Sequence, residues 1–273
     1  MSWVFINQEF VKQESACLLY NDLSIQRGYG VFDFFRVTDF IPAYLDDHLD
    51  RLQFSADEMR LKIPYSRQRL KDIIFELVRK NQIPDCGIKI TLTGGYTNDG
   101  FSISSPNLVI SHHLFQPPDQ KILDNGIKLV TWEHQRQLPH IKSIDYLMAI
   151  WLQPFILKEK ADDVLYHQNG FVTECPRSNF FIVTRENQVV TPKHHILKGI
   201  TRKRILETIG REFEVLERPV SLEDIQKASE AFISSTTKLI VPVQQIDEHS
   251  FKQKPKPVSA FIRNLLIKAK STV

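Results

Sequence analysis

Lys142 carries the side chain of this sequence that is best suited to covalent chemistry. It follows the partly apolar segment 138–141, where a strand region gives way to a predicted helix. A lysine amine can form a Schiff base with a carbonyl compound when burial or nearby positive charge lowers its pKa, and an apolar neighbourhood favours this. Most lysines are solvated, so a surface position is the alternative interpretation.

Glu174 is a second candidate, at the end of a predicted strand and directly before the sharp turn Cys175-Pro176-Arg177. A carboxylate fixed there can pair with a protonated ring nitrogen of a cofactor and strengthen the ring's capacity to accept electrons. The alternative is an exposed acid at a strand end, because acidic side chains usually stay in water. The residue types alone leave both interpretations open.

Gly199 and Thr201 form a candidate anion site at the start of a predicted helix. Free backbone N–H groups and the positive end of the helix dipole favour a phosphate at such a position. An ordinary turn followed by an N-cap explains the same two residues. Dinucleotide-binding and P-loop signatures are incomplete, since Gly28-Tyr29-Gly30 lacks the third glycine and residues 198–201 lack a P-loop.

The spacing of apolar residues predicts the elements that must position these side chains. Helices are predicted where apolar residues recur every three or four positions, and strands where short runs of Ile, Val, Leu and Thr occur. The predicted helices are 49–61, one capped by Ser66, 144–158, 201–211, one capped by Ser221, and 258–268. The predicted strands are 3–7, 89–93, 108–111, 127–132, 163–166, 170–173, 180–184, 189–190, 231–234 and 240–243.

Two consecutive prolines, Pro117 and Pro118, predict a break between two domains because they remove backbone donors and force extended geometry. A chain of 273 residues, 42% of them hydrophobic, is near the length at which one core divides into two. We predict an N-terminal α/β domain over 1–116, a linker over 117–125 and a C-terminal domain over 126–273. The short strands of the second part indicate an antiparallel or mixed sheet, so the predicted fold class is α/β (α+β).

Composition excludes several classes of protein. The net charge of +3 arises from 35 basic and 32 acidic residues, which is too balanced to require a polyanionic partner, so no nucleic acid is expected. No signal-peptide pattern occurs near the N-terminus and no run of about 18 apolar residues occurs anywhere, so we expect a cytoplasmic protein without a membrane partner. The three cysteines lack C-x-x-C spacing and the histidine pairs are adjacent in sequence, so neither disulfides nor a metal site is expected.

Five short motifs follow one another along the chain. They are His48-Leu49-Asp50-Arg51-Leu52, Lys142-Ser143-Ile144-Asp145-Tyr146-Leu147, Thr173-Glu174-Cys175-Pro176-Arg177-Ser178-Asn179-Phe180, Gly199-Ile200-Thr201-Arg202 and Ser235-Thr236-Thr237. In this order they resemble the class IV pyridoxal-phosphate aminotransferases, which include branched-chain aminotransferases, D-amino acid aminotransferases and 4-amino-4-deoxychorismate lyases. The resemblance covers residues 21–247, and the order of five motifs makes it specific.

The resemblance implies a two-domain fold type IV enzyme with a smaller N-terminal α/β domain and a larger C-terminal mixed-sheet or pseudo-barrel domain. Pyridoxal 5'-phosphate would lie at the domain interface, in a homodimer whose second subunit completes the site. Lys142 would form the Schiff base and carry the catalytic proton, and Glu174 would keep the pyridine nitrogen protonated. The other implied cofactor contacts are Arg51, the Ile200 and Thr201 amides and Thr236 at the phosphate, Tyr146 at the phenolic oxygen, and Asn179.

The candidate substrate contacts are Arg36, Tyr96, Thr237 and Arg177. For Arg36 an ion pair with a neighbouring aspartate, at position 33 or 39, is the alternative. The loop 93–100 lacks the arginine or histidine that the lyase and D-amino acid branches tend to carry there. The loop's tyrosine and the nearby aromatics Phe32, Phe34 and Phe35 suit an apolar substrate side chain, although aromatics at such positions are also common in cores.

We therefore predict a class IV aminotransferase that moves the amino group of a small, apolar, branched-chain L-amino acid to a 2-oxo acid. Cys175 after Glu174 resembles the lyase members, so a 4-amino-4-deoxychorismate lyase that forms 4-aminobenzoate and pyruvate is the alternative. A dinucleotide-binding or structural protein without pyridoxal phosphate is a more distant one. The expected partners are the amino-acid and 2-oxo-acid substrates and a second copy of the chain.

Overall fold

The computed structural model describes residues 2–114, 116–252 and 254–270 and groups them into two units. The first unit is Met1–Gln116 with Ile141–Asp145, and the second is Pro117–His140 with Tyr146–Val273. Each unit is built on its own β-sheet with helices, so the predicted α/β (α+β) class is confirmed. Among the described residues, no helix is long and apolar enough to cross a membrane.

The described part of the first unit contains a six-stranded sheet in the order β2-β1-β6-β5-β3-β4, with every neighbouring pair antiparallel. The strands are β1 (Trp3–Ile6), β2 (Glu9–Lys12), β3 (Gly30–Thr38), β4 (Ile41–Pro42), β5 (Cys86–Thr93) and β6 (Leu108–His113). The helices are α1 (Leu23–Arg27), α2 (Leu45–Glu58) and α3 (Arg67–Asn81), with a 3-10 turn at Gln13–Ser15.

Ser66 begins α3 as predicted, because its side chain accepts a hydrogen bond from the Arg69 amide and satisfies one of the free donors of the first turn. The apolar stripe of α3 packs on β1 and β6, and α2 packs on β3. Together these contacts bury one face of the sheet.

Strand β3 alternates between two faces of this sheet, as the period of two requires. Val31, Asp33, Phe35 and Val37 are buried, whereas the residues between them are half-buried. The predicted aromatic cluster is therefore divided, because Phe35 belongs to the core and the other two phenylalanines lie on the opposite face.

Segment Ile141–Asp145 packs against the beginning of β3 and belongs to the first unit by contact. The Phe32 amide donates to the Lys142 carbonyl oxygen over 2.9 Å, and the Ile144 amide donates to the Gly30 carbonyl oxygen over 3.0 Å. Gly30 permits this approach, since a Cβ there would lie 2.8 Å from the Leu92 oxygen and 3.1 Å from Ile144 Cδ1. The domain division from sequence had assigned this segment, with all residues after 126, to the C-terminal domain.

These hydrogen bonds also correct the helix predicted over 144–158. Because Ile144 pairs as extended chain, the helix begins only at Leu147 and is divided into α5 (Leu147–Trp151) and α6 (Gln153–Lys158). Pro154 in the first turn of α6 has no amide to donate, which favours a new helix start there.

The described part of the second unit contains an eleven-stranded mixed sheet. Its main order is β13-β12-β11-β15-β16-β7-β8-β9-β14, with β10 paired to β11 and β17 paired to β16. The strands are β7 (Ile127–Glu133), β8 (Asp163–Gln168), β9 (Phe171–Val172), β10 (Glu174–Cys175), β11 (Ser178–Val183), β12 (Val189–Thr191), β13 (Val215–Glu217), β14 (Val220–Ser221), β15 (Glu230–Ser235), β16 (Leu239–Ile246) and β17 (His249–Ser250).

Helices cover this sheet, and β11 is buried along its whole length because both of its faces are packed. One core cluster surrounds Phe180 and Ile233, and another contains the stacked rings of Phe181 and Phe232, whose centroids lie 4.7 Å apart. The remaining helices are α4 (Gln120–Asn125), α7 (Ile200–Ile209), α8 (Leu222–Lys227) and α9 (Val258–Lys270). Helix α4 occupies most of the segment that the sequence assigned to a linker, and α8 begins with the predicted capping box at Ser221.

Candidate active site

The Lys142 side chain is half-buried in the first unit and lies beside an aromatic ring. Its Nζ is 4.6 Å from the centroid of Phe32, and Nζ of Lys89 is 5.0 Å from the same centroid. The Lys142 amide donates to Ser55 Oγ over 3.2 Å, so its backbone is held by both α2 and β3. A fixed backbone and a partly apolar environment suit an amine that reacts with a carbonyl group.

A buried ion cluster connects β3 to α2 in the same unit. Asp33 is fully buried and accepts hydrogen bonds from Arg51 Nε and Nη2, both over 2.8 Å. Its Oδ1 also lies 2.7 Å from His48 Nδ1. His48 and Arg51 reach one carboxylate because residues three apart share a helix face.

The pKa values of this cluster follow from its packing. Burial alone would raise the pKa of Asp33, but the charges and hydrogen bonds of Arg51 and His48 outweigh it and hold that pKa well below its ordinary value. Burial lowers the pKa of His48, Asp33 raises it, and the positive charges of Arg51 and Lys142 lower it further. The cluster therefore combines an ionised carboxylate with a guanidinium at neutral pH.

This cluster affects two predicted site residues. Arg51 uses Nε and Nη2 for Asp33, and within the described part of the chain its Nη1 has no hydrogen-bond acceptor. Only that edge of the guanidinium is left for a phosphate, so the bidentate grip expected from its sequence is reduced. Arg36 does not pair with Asp33, because the two side chains point to opposite faces of β3; burial lowers the pKa of Arg36 and the charge of Asp85 raises it.

In the second unit, Glu174 is 4% exposed and opens the β10–β11 hairpin. Its Oε1 accepts from Arg136 Nη1 over 2.8 Å, and its Oε2 accepts from the Leu197 amide over 2.9 Å. Asn179, its register partner on β11, donates from Nδ2 to the Leu197 carbonyl oxygen over 2.7 Å. Glu174 is thus a buried carboxylate with a charged donor on one oxygen and a backbone donor on the other.

The loop that Glu174 holds leads directly into α7. Gly199 is the N-cap of this helix, with extended backbone and no side chain to cap the first amides. A Cβ at Gly199 would lie 2.1 Å from Asn179 Oδ1, so glycine is required for this contact. The Ile200 and Thr201 amides belong to the first turn, where N–H groups lack an acceptor within the helix and can bind an anion.

The turn Ser235–Thr237 lies close to this group, because Ser234 is the register partner of Asn179 on the adjacent strand β15. The Thr236 and Thr237 side chains are half-buried, and the Lys238 amide donates to Ser235 Oγ over 3.2 Å. Within the second unit, the structure therefore brings together Glu174, Asn179, the α7 start and this turn.

Other predicted residues stand apart from these two clusters. Arg177 is exposed in the turn between β10 and β11, and Tyr146 is half-buried at the N-cap of α5. Tyr96 is half-buried and forms a backbone bridge with Asp22, which fixes the loop after β5. Arg36 is half-buried on the same face of β3 as Phe32.

Sequence reasoning missed three residues of these clusters: Asp33 as the partner of Arg51, Lys89, and Arg136. The strand period offered a signal for the first, since an acid between buried apolar positions must find a cation. Arg136 lies 38 positions before Glu174, and no local pattern joins them. Among the described residues, no group of three or more His, Cys, Asp and Glu side chains is arranged to hold a metal ion.

Comparison with known proteins yields a consistent group. The family model "Amino-transferase class IV" matches residues 30–246. A Methanocaldococcus jannaschii protein, provisionally assigned as a branched-chain-amino-acid aminotransferase, is 30% identical over 252 residues, which cover 89% of this chain and 88% of that protein. A D-alanine aminotransferase of Staphylococcus haemolyticus is 30% identical over 257 residues, which cover 90% of each.

Solved structures show the same fold. The Escherichia coli branched-chain amino acid aminotransferase superposes with a TM-score of 0.90 at 22% identity, covering 98% of this chain and 94% of that one. A second branched-chain amino acid aminotransferase, from T.th. and solved with pyridoxamine 5'-phosphate, also gives a TM-score of 0.90 at 22% identity, covering 98% and 93%. At this level of identity the likeness concerns the fold type IV architecture.

The Asp33 cluster predicts a pH-dependent contribution to stability. Because the folded-state pKa of Asp33 is depressed, its contribution is present above the unfolded-state pKa of about 3.9 and is lost as pH falls below it. We expect Asp33→Asn to lower the free energy of unfolding by about 3–5 kcal/mol at pH 7, since it leaves Arg51 buried without its partner. Urea unfolding at pH 7, 5 and 3 measures this.

The matched control is Asp46→Asn, which removes an exposed partner of Arg67 and Lys71 and should change stability little. The difference between wild type and Asp33→Asn should shrink from pH 5 to pH 3. A difference that stays constant over this range would contradict the assigned ionisation.

Proposed function

The chain belongs to the class IV aminotransferase family, and on this premise we propose that it binds pyridoxal 5'-phosphate and transfers the amino group of a small, apolar L-amino acid to a 2-oxo acid. Class IV aminotransferases are pyridoxal-phosphate enzymes, and structural relatives include one solved with pyridoxamine 5'-phosphate. The bound cofactor supplies an aldehyde for the amino group and a ring that accepts electrons from the substrate α-carbon.

The observation that carries this proposal is the hydrogen-bonded group around Glu174. A buried carboxylate suited to a ring N–H⁺ shares Leu197 and Asn179 with the loop that opens α7. The cradle at Gly199 is kept open by the absence of a Cβ, and the first helix amides suit a phosphate. The donor set of the second unit therefore fits the two ends of a phosphorylated pyridine.

Lys142 is the proposed covalent and proton-transferring residue. Its amine would bind the aldehyde and then move a proton between the substrate α-carbon and the C4' carbon of the cofactor. The fixed backbone and the ring of Phe32 support this role, because both restrict where the amine can go. Glu174 would hold the proton on the ring nitrogen while the amine works.

Phosphate binding is assigned to residues that offer charge, N–H groups and a hydroxyl. We propose the Nη1 edge of Arg51, the amides of Ile200 and Thr201, and the hydroxyl of Thr236, with Tyr146 at the phenolic oxygen. A phosphate with nearly two negative charges favours a guanidinium and a helix N-terminus. Asn179 would act by holding Gly199 in place.

An apolar substrate is proposed from the surroundings of Lys142. The ring of Phe32 lies beside the reactive amine, and Phe34 shares its half-buried face of β3. Arg36 on this face, and Tyr96, Thr237 and Arg177 elsewhere, remain candidates for contact with the substrate carboxylate or side chain.

A second candidate activity is transamination of D-alanine, favoured by the 30% identity to the D-alanine aminotransferase of Staphylococcus haemolyticus over 90% of both chains. Against it stands the loop after β5, which carries neither arginine nor histidine at 93–100. The lyase reaction remains an outcome that the substrate test distinguishes.

We also propose that a second copy of the chain covers α5, and that the enzyme is a cytoplasmic homodimer. Helix α5 has the sequence Leu-Met-Ala-Ile-Trp without one buried residue, and Leu147, Ile150 and Trp151 are 76%, 62% and 63% exposed. Such an uncharged apolar surface is unfavourable in water and suits self-association about a two-fold axis.

Covalent attachment gives a test of the lysine assignment. With pyridoxal phosphate bound, borohydride reduction and peptide mapping should find the label on Lys142, and Lys142→Ala should lose both the violet absorbance and turnover. Lys89→Ala is the matched control, since both ammonium groups lie near the same ring. A label on Lys89 would overturn the assignment.

Substrate class is tested with 2-oxoglutarate as acceptor and L-leucine, L-valine or D-alanine as donor, following glutamate formation. We expect kcat/KM for the L-amino acids to exceed that for D-alanine by at least about tenfold, as one hydrophobic pocket can achieve. Faster reaction of D-alanine would replace our proposal by the second candidate. Release of 4-aminobenzoate from 4-amino-4-deoxychorismate without transamination would favour the lyase.

Dimerisation is tested by Leu147→Glu together with Ile150→Glu, which places two charges on the exposed surface of α5. We expect sedimentation at micromolar concentration to show a shift from dimer toward monomer, because burying unpaired carboxylates is unfavourable. Gln120→Glu on α4 is the charge-matched control. A double variant that sediments like wild type would exclude α5 from the interface.

A further inference from the structure

Arg136 pairs with Glu174 inside the second unit as a cationic donor. Its Nη1 donates to Oε1 over 2.8 Å, and the side chains of the pair are 14% and 5% exposed. The loop that carries Arg136 is fixed at its start, where the His134 amide donates to the His167 carbonyl oxygen over 2.9 Å. The guanidinium is thus presented to Glu174 from a braced position after β7.

Two further donors to Glu174 within the second unit are neutral. The Leu197 amide lies 2.9 Å from Oε2, and Asn179 Nδ2 is at the limit of hydrogen bonding, 3.5 Å away. Burial disfavours the charged form of a carboxyl group, and an adjacent cation favours it. With Arg136 removed, the balance at this site moves toward a protonated, neutral Glu174.

Protonation would change what Glu174 can recognise. An ionised carboxylate pairs with a ring N–H⁺ in a charge-assisted hydrogen bond, whereas a neutral carboxyl group offers only an ordinary one. Ionisation of Glu174 therefore determines how strongly the ring nitrogen is distinguished from a ring carbon. The other carboxylate oxygen is meanwhile occupied by the loop that leads to α7.

From this geometry we propose that Arg136 is the positioning residue of the cofactor's ring nitrogen, acting through Glu174 by keeping its carboxylate ionised and oriented. The inference rests on the proposed function, because it concerns how this chain recognises pyridoxal phosphate. Arg136 itself touches neither cofactor nor substrate in this role.

The test compares two ligands on the cofactor-free protein. They are pyridoxal 5'-phosphate and its 1-deaza analogue, in which C–H replaces the ring nitrogen, and the quantity measured is the ratio of their dissociation constants. Wild type should prefer pyridoxal phosphate by about tenfold or more, the size of a charge-assisted hydrogen bond. The ratio cancels general damage to the phosphate and lysine sites.

The variants separate charge from structure. Arg136→Gln keeps an N–H donor but no charge, Arg136→Lys keeps the charge, and Glu174→Gln removes the acceptor. Arg218→Met is the matched control, since it breaks a more exposed pair with Asp224 in the same unit. Circular dichroism identifies variants that fold, and Arg136→Lys supplies the comparison if Arg136→Gln does not fold.

Arg136→Gln should bring the ratio close to that of Glu174→Gln at pH 6, and the preference should partly return toward pH 9 as alkali ionises the carboxyl group. Arg136→Lys should retain most of the preference, and Arg218→Met all of it. A wild-type preference that persists in Arg136→Gln but disappears in Glu174→Gln would overturn the role of Arg136, as would loss of preference in Arg136→Lys.

Failure of the broader proposal gives a different result. If wild type binds neither ligand, the proposed cofactor is wrong and the role of Arg136 falls with it. If wild type binds both equally, the cofactor proposal stands while the ring nitrogen, and with it Arg136, plays no part in recognition.

Discussion

Burial of a carboxylate is the constraint on which the candidate site depends. Glu174 can leave water because Arg136 and the Leu197 amide each supply a donor to one of its oxygens. The second of these bonds fixes the loop before α7, so the acid and the helix start are placed by one set of contacts. Chemistry at the ring end of a ligand and binding at its phosphate end thereby share a common support.

The same constraint operates in the first unit with a different outcome. Asp33 is buried because Arg51 and His48 reach it from α2, which ties the helix to β3 at the position where the Lys142 segment also joins that strand. The ion pair therefore supports the surroundings of the reactive amine. It also occupies most of a guanidinium that the motif alone had assigned wholly to a ligand.

Local elements were predictable from sequence wherever local physics decides. Ser66 and Ser221 cap α3 and α8 as their side-chain chemistry indicates, and the alternation of β3 follows from the strand period. The helix predicted from Ile144 failed because a tertiary interaction competed with apolar spacing, as the amide of this residue bonds to Gly30. Partners such as Arg136 were invisible, since nothing local relates residues 38 positions apart.

Specificity follows a different rule from the motifs. The residues that suit a cofactor are fixed by its phosphate and ring, so family resemblance identifies them together, whereas the surroundings of Lys142 depend on single side chains such as Phe32. The same ring lies near the ammonium of Lys89, whose pKa burial lowers. An apolar surface and a cation that burial makes easier to deprotonate are thus combined beside one amine, and substrate choice depends on which of them the substrate side chain meets.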